Sequence, residues 1–301
     1  MKTVNYILIL LCAISIVSCK EAAQKGIGKG TKEIMEKASK KVIAQSAQEI
    51  SEKTIKEATG EIAEHTAKRS LKEAMKSNNE LKILYNAAYK RIGKDFTDGL
   101  ATKTTKNGII IYSEQYPTSK IIMRNNVIVA RAGSLVDAGP INEFLVDILP
   151  NKIYVVDDVF RYKTDDLGRV VFCECDRTKA YKLYGNKRNP QRNRDVQKRI
   201  VEALDGKFDH NGKSLDDGGH LFSRNSGGPN ELINQIPLDR EVNQHGLWKQ
   251  CESIEEQAIK DGKNVISSRK LLYQGTCKRP YAIEFTYIID ELKTTIVIPN
   301  E

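Results

Sequence analysis

From residue 108 to the C-terminus, short β-branched runs recur with turn residues between them. This pattern constrains the fold more than any other feature of the chain. The runs "GIIIYS" (108–113), "NVIVARAG" (126–133) and "KIYVVDD" (152–158) read as strands. "VFRYKTDDLGRVVFCECD" (159–176) reads as two strands joined by a hairpin turn at Asp165–Gly168. "VISSRKLLYQ", "YAIEFTYIID" and "KTTIVIP" close the chain as three more. Helical patterns stand beside them, a short one at "LYNAAYKRIGKDF" (84–96) and a longer one after 238. Strands and helices therefore mix without strict alternation, and the expected class is α+β.

The apolar fraction of 40% is low for a globular chain of 301 residues and implies a polar segment. Residues 20–80 supply it. They are dense in Lys, Glu and Ala, with a thin stripe at Ile34, Ala38, Ile43, Ala47, Ile50, Ala58, Ile62 and Leu71. A stripe poor in Leu and without Trp or Phe fits a solvated helical spacer better than a helix lying in a membrane surface. A coiled-coil partner helix is the other reading.

The first residues speak to compartment. "MKTVNYILILLCAISIVSC" has a basic start at Lys2, an apolar run from Tyr6 to Val17 and small Ser18 before Cys19. The run is too short to span a bilayer comfortably and reads as an export signal. Its ending resembles a bacterial lipobox, which makes Cys19 the expected lipidation site and membrane anchor. The expected organisation is a lipoprotein signal at 1–18, a helical spacer at 19–80, a small mixed α/β region at 81–150 and a larger α+β domain at 151–301.

Past Cys19, four cysteines remain: Cys173, Cys175, Cys251 and Cys277. In an exported chain they suit one or two disulfides, or simply buried thiols. Strand alternation puts Cys173 and Cys175 on one face. Only that pair is closely spaced, which argues against a four-thiol zinc site.

Net charge is +9, and its clustering matters more than its sum. "KAYKLYGNKRNPQRNRDVQKR" (179–199) sets Lys179, Lys182, Lys187, Arg188, Arg192, Arg194, Lys198 and Arg199 against the single acid Asp195, interleaved with Tyr181 and Tyr184. A basic run is often only a solvated face. Beside a hydrolytic site it suits contact with a phosphate backbone.

The chemistry concentrates in 216–252. Gly218 and Gly219 precede His220 and are expected to let the backbone turn tightly and leave the imidazole uncrowded. "HLF" is read as the start of a strand, "SRNSGGPNEL" as a loop and "INQIP" as a second strand ended by its proline. "LDREVN…LWKQCESIEEQAIKDG" is read as a helix from near Asp239 to Gly262. The order is strand with His220, strand with Asn234, helix with Asn243. Histidine suits general-base work near neutral pH. An Asn oxygen is a hard neutral ligand of the kind Mg²⁺ prefers. His210, in a turn, and His245, beside Asn243, are the rival bases. Trp248 reads as core.

These residues resemble the DNA/RNA non-specific endonucleases of the ββα-metal, or His-Me finger, superfamily, especially the branch found in secreted nuclease toxins. The resemblance rests on Asp217-Gly218-Gly219-His220, Asn234 in "NQIP", Asn243 nine residues on, then Trp248 and Glu252. It covers roughly 150–301. It implies a ββα-metal finger flanked by an antiparallel sheet, acting as a metal-dependent nuclease on DNA, RNA or both. His220 would be the base, Asn243 the one direct Mg²⁺ ligand (Mn²⁺ the alternative ion), and Glu252 the holder of a metal-bound water. Asn234 would pin the strand and orient His220. Lys187, Arg188, Arg192 and Arg194 would meet nucleic acid, and an immunity protein is an implied partner. Two departures stand out. Gly218 occupies a position where many relatives carry Arg, leaving Arg224 and Arg240 as the nearest substitutes. Asn243 and Trp248 are five apart where the family has four, so Asn243 and Glu252 share a helix face only if a bulge falls near His245-Gly246. The competing function is a catalytically inactive, nucleic-acid-binding envelope lipoprotein.

Overall fold

The β-branched runs pair almost in the order in which the chain presents them. The computed structural model describes residues 71–133, 140–185, 187 and 200–301. The chain divides into two units, Met1–His65 and Thr66–Glu301, and all the described residues lie in the second. Cys19 and residues 19–70 of the expected spacer lie outside the described residues.

Three helices come first: α1 (Leu71–Ser77), α2 (Asn79–Ile92) and α3 (Lys94–Asp98). Asn78 caps α2 by accepting from the Leu81 N–H at 3.0 Å. Ala74, Leu81, Leu84 and Ala88 recur at helical spacing and are buried in the main core. Positions 71–80, read from sequence as the end of the spacer, thus belong to a packed layer.

Ten strands form one sheet: β1 (Leu100–Thr105), β2 (Gly108–Ser113), β3 (Lys120–Arg124), β4 (Val127–Ala130), β5 (Ile153–Val156), β6 (Phe160–Thr164), β7 (Val170–Asp176), β10 (Val265–Leu272), β11 (Ala282–Ile289) and β12 (Leu292–Pro299). Neighbours are antiparallel except β4 and β5, which run parallel with Val127 opposite Ile153. That pairing carries the sheet across residue 150, so 81–150 is the front edge of the same sheet that continues through 151–301. The turn between β6 and β7 falls where the sequence puts it. Gly168 adopts φ +75°, and the Asp165 carboxylate accepts from the Leu167 and Arg169 N–H groups at 3.0 and 2.9 Å.

Between β7 and β10 the chain leaves the sheet. α4 (Arg177–Tyr184) follows β7 directly, capped by Asp176 accepting from the Lys179 N–H at 2.8 Å. A two-stranded ribbon, β8 (Asp216–His220) against β9 (Gln235–Asp239), is followed by α5 (Arg240–Gln244) and α6 (Leu247–Lys260). This is a ββα unit set beside a large antiparallel sheet, an α+β fold.

Three local expectations need correction. β8 ends at His220 rather than starting there, and neither Gly218 nor Gly219 has positive φ. Gly219 leaves room for the side chain of Leu238, diagonal to it on β9: a Cβ there would meet Leu238 Cβ at 2.7 Å. Pro237 lies inside β9. The Leu221 N–H donates to the Asn234 carbonyl at 2.7 Å, which places hydrogen-bonded pairs at odd positions of β8. Pro237, opposite Gly218, then occupies a non-hydrogen-bonded pair, where a missing N–H costs the ladder nothing. The expected single helix is two. The Gly246 N–H bonds the Glu241 carbonyl at 2.7 Å, a five-residue closure, and Gly246 is extended at φ −85°, ψ −161°. Of the two forms expected for the cysteines, the thiol form is found: all four are free, with Cys173, Cys175 and Cys251 buried and Cys277 exposed. Burial pushes the Cys173 thiol up to about 12, as expected of a residue used for packing.

Beneath the ββα unit lies a buried ion cluster. Glu255 of α6 meets Arg177 of α4 at 3.4 Å and Arg269 of β10 at 3.1 Å, and all three are fully buried or nearly so. Ser267 bonds both Glu255 and Arg269. The Arg269 guanidinium stacks over Phe285 and lies 5.2 Å from the Phe222 ring centre. One carboxylate between two buried guanidiniums leaves little tolerance, because its loss would strand both cations.

Candidate active site

His220 stands at the last position of β8, and Asn234 fixes the chain that leaves it. Asn234 is fully buried. Its Oδ1 accepts from the Phe222 N–H at 3.0 Å and from the Tyr162 hydroxyl at 3.0 Å. Its Nδ2 donates to the Phe222 and Pro229 carbonyls at 2.9 and 2.8 Å. One amide thus satisfies both backbone groups of Phe222, two residues past His220, and ties them to β6 and to the following loop. That loop then comes down on α4. A Cβ on Gly227 would meet the Ala180 carbonyl at 2.7 Å, and Gly227 has φ +90°, so glycine is needed there for both space and conformation.

The imidazole of His220 is half-buried, with Nε2 fully enclosed and without a hydrogen bond. Burial, reinforced by the nearby Arg224 guanidinium, lowers its pKa to about 4. The ring is therefore neutral at physiological pH, and Nδ1 is the nitrogen a water can reach.

Asn243 lies in α5 on the rim of a cleft of about 530 Å³ that Asp217, Gly218, Glu202 and Gln244 also line. Its Nδ2 donates to Asp217 Oδ2 at 3.3 Å, which turns the amide oxygen away from that carboxylate and leaves it available to a ligand. Asp217 also accepts from Gln244 at 2.6 Å and from Arg240 Nε at 3.1 Å. Arg240 further donates to the Ser214 carbonyl at 2.8 Å, so this candidate phosphate contact is already engaged in holding α5 to β8. Asp216, buried, is clamped by Arg279 at 2.7 and 2.8 Å, and Asn300 links Arg279 to the Pro237 carbonyl at 3.0 Å.

Glu252 is buried on α6 with Lys249 at 3.8 Å. Burial raises its carboxyl to about 7, against the pull of Lys249 and Arg177. Among the described residues no hydrogen bond joins His220, Asn243 and Glu252 to one another, and His220 does not line the cleft beside Asn243. Trp248 is core, edge-on to Phe285 at 5.1 Å. His210 lies in a turn and His245 is exposed beside the helix break. Of the basic residues, Lys187 is exposed and donates to the Leu183 carbonyl at 2.9 Å, and Arg224 follows the His220 turn. Arg188, Arg192 and Arg194 lie outside the described residues.

Sequence reasoning missed Arg177, Glu255 and Arg269. The signal was present. Arg269 alternates with Val265, Ser267 and Leu271 on the inward face of β10, and Glu255 shares the helical stripe of Trp248, Cys251 and Ile259.

The profile of the DNA/RNA non-specific endonuclease family matches residues 150–291. The match covers the ββα unit and β5 to β11, and it extends over a little less than half of the chain. Among solved structures, the chain is similar to the Sda1 nuclease with bound zinc ion, at 21% identity and a TM-score of 0.28 over 30% of this chain. It spans 40% of that protein. It is also similar to NucA from Streptococcus agalactiae, solved with no metal and with magnesium. Both are 16% identical and cover 88% of NucA, with 70% and 71% of this chain and TM-scores of 0.33 and 0.34.

The raised carboxyl of Glu252 has a consequence for stability. A folded-state pKa above the unfolded value favours folding most below about pH 4.5, and that advantage fades as pH rises through about 7. Glu252→Gln removes this titration, while His220 is common to both proteins. In EDTA, the melting temperature of Glu252→Gln relative to wild type should therefore rise between pH 5 and pH 8. A difference independent of pH would show that Glu252 does not sit in a desolvated pocket.

Proposed function

We propose that the chain is a sequence-independent endonuclease acting on DNA, RNA or both, with His220 as general base. The observation that carries this reading is the His220 imidazole: neutral, with no hydrogen bond to Nε2 among the described residues, and set at a strand end whose onward chain is fixed by the four hydrogen bonds of Asn234. A general base needs that protonation state and a free lone pair aimed at water. The match of residues 150–291 to the DNA/RNA non-specific endonuclease family supports a phosphodiester as the bond to be cut.

Asn243 is the residue that would hold Mg²⁺. Its Nδ2 is committed to Asp217, leaving a neutral oxygen of the kind the ion takes, and the cleft has room for ion-bound waters. When bound, the ion would supply charge stabilisation to the phosphate and the leaving oxygen. His220 would take the proton of the attacking water at Nδ1. Asn234 would fix the backbone that follows His220 and so set the position of the imidazole, and Glu252 would accept a hydrogen bond from water near the ion. Gly218 gives no cation to the phosphate and Arg240 is tied to Asp217, so Arg224, whose charge reaches His220, is the best-placed guanidinium.

Plasmid and total-RNA digestion by the purified protein tests this. Cleavage should require Mg²⁺, stop in EDTA and fall at least about 100-fold in His220→Ala. Because His220 titrates near 4, kcat/KM should not show the fall near pH 6.5 expected of an ordinary histidine. Intact, folded protein that binds DNA without cutting it under any divalent metal would instead favour an inactive binding protein.

We also propose export on a lipid carried by Cys19, supported by the short apolar run that ends in "IVSC". Cys19→Ser should shift the protein from the membrane fraction to the soluble fraction. Unchanged membrane association would overturn the anchor.

A further inference from the structure

The turn that follows His220 forms one wall of a second, smaller recess of about 220 Å³. It is lined by Tyr181 of α4, by Asn225 and Ser226, and by Glu256, Ile259 and Lys260 of α6. It is separate from the cleft beside Asn243. The geometry points to a nucleobase subsite that takes an unpaired guanine of the substrate. This inference rests on the nuclease reading above and adds a preference that a backbone-directed enzyme need not have.

Three features carry it. The first is the lining: one recess holds a tyrosine ring, Tyr181, packed beside the aliphatic Ile259, and stacking on tyrosine is available to any unpaired base. The second is the orientation of Glu256. Its Oε1 accepts from the Ser223 hydroxyl at 2.8 Å and from the Ser226 hydroxyl at 3.3 Å. Those two bonds orient the carboxylate through one oxygen, while Oε2 has no hydrogen bond among the described residues. The third is the company it keeps, a Lys260 ammonium and an Asn225 amide, both exposed at the mouth.

An acceptor on one side and donors on the other discriminate among bases. Guanine carries two adjacent donors, N1–H and N2–H₂, and two acceptors, O6 and N7. The donors match Glu256 and the acceptors match Lys260 and Asn225. Adenine and cytosine each place an acceptor ring nitrogen beside their amino group, which a carboxylate repels. Thymine and uracil offer one N–H flanked by two carbonyls. A paired base hides the edge this site would read, so the preference applies to single strands.

Position ties the recess to the proposed cut. Ser223 and Ser226 stand on the turn that leaves β8 at His220, and Ser226 lines the recess, so a base seated here belongs to a nucleotide close to the scissile phosphate. The predicted mark is a guanine at one fixed distance from the cut in single-stranded substrates, absent from duplex cleavage.

Binding separates this inference from the activity on which it rests. With the full chain in EDTA, the four deoxynucleoside 5′-monophosphates should be compared by calorimetry or saturation-transfer NMR. dGMP should bind at least about fivefold more tightly than the others, a modest share of what one stacked, hydrogen-bonded base contributes. The preference should vanish in Glu256→Gln and weaken in Tyr181→Leu, which keeps the packing against α6. Equal affinities for the four nucleotides, or no binding at all, would overturn the inference. The second arm maps cuts in single-stranded oligonucleotides and in plasmid with Mg²⁺. A fixed-offset guanine bias lost in both variants, with plasmid cleavage retained, supports the subsite. Cleavage without base bias removes it and leaves the nuclease intact. A dGMP preference without any cleavage means that the nuclease reading has failed rather than the recess.

Discussion

The placement of His220 depends on one buried amide. Asn234 accepts from the N–H and donates to the C=O of Phe222, and its two remaining bonds reach Tyr162 and Pro229. A strand end is ordinarily free to fray, and two unpaired backbone groups in a core would be costly. Here the same side chain satisfies both and thereby sets the direction in which the chain leaves β8. Truncating it would leave four groups without their partner in the core.

The floor under that turn is charged. Arg177, Glu255 and Arg269 form a buried cluster whose cations lie against Phe222, Trp248 and Phe285. Such a cluster is weak evidence of net stability, since apolar replacements of similar volume often do as well. It does link three elements far apart in sequence: the start of α4, the middle of α6 and the centre of β10. Its Arg177 also draws the Glu252 carboxyl down against burial, while Glu255 of the same cluster pushes it up. The glutamate and the histidine are thus shifted in opposite directions by the same dry surroundings.

Much of the fold was legible in the sequence because strand alternation and turn residues are local signals. Each β-branched run is a strand, and Asp165–Gly168 turns as its residues dictate. What was misread depends on partners. Pro237 looks like a strand terminator until register places its missing N–H away from β8. The spacing anomaly before Trp248 was legible as a break in helical phase, but a run of helix formers does not tell a bulge from two helices. Gly246, extended and closing on Glu241, decides it. Of the site, His220, Asn234 and Asn243 stood out by residue type and order. The burial of Glu255 and Arg269 was legible from their inward faces, but the pairing of Arg279 with Asp216 and of Arg177 with Glu255 was not, because an ion pair across more than sixty positions has no local signature.

The account's central claim is that His220 supplies the base, and chemical rescue tests it most directly. His220→Ala should be folded, bind DNA as wild type does and cut it barely at all, and added imidazole should restore Mg²⁺-dependent cleavage in proportion to its neutral form. Wild-type cleavage rates in His220→Ala without imidazole would contradict the claim, because the proton of the attacking water would then go elsewhere.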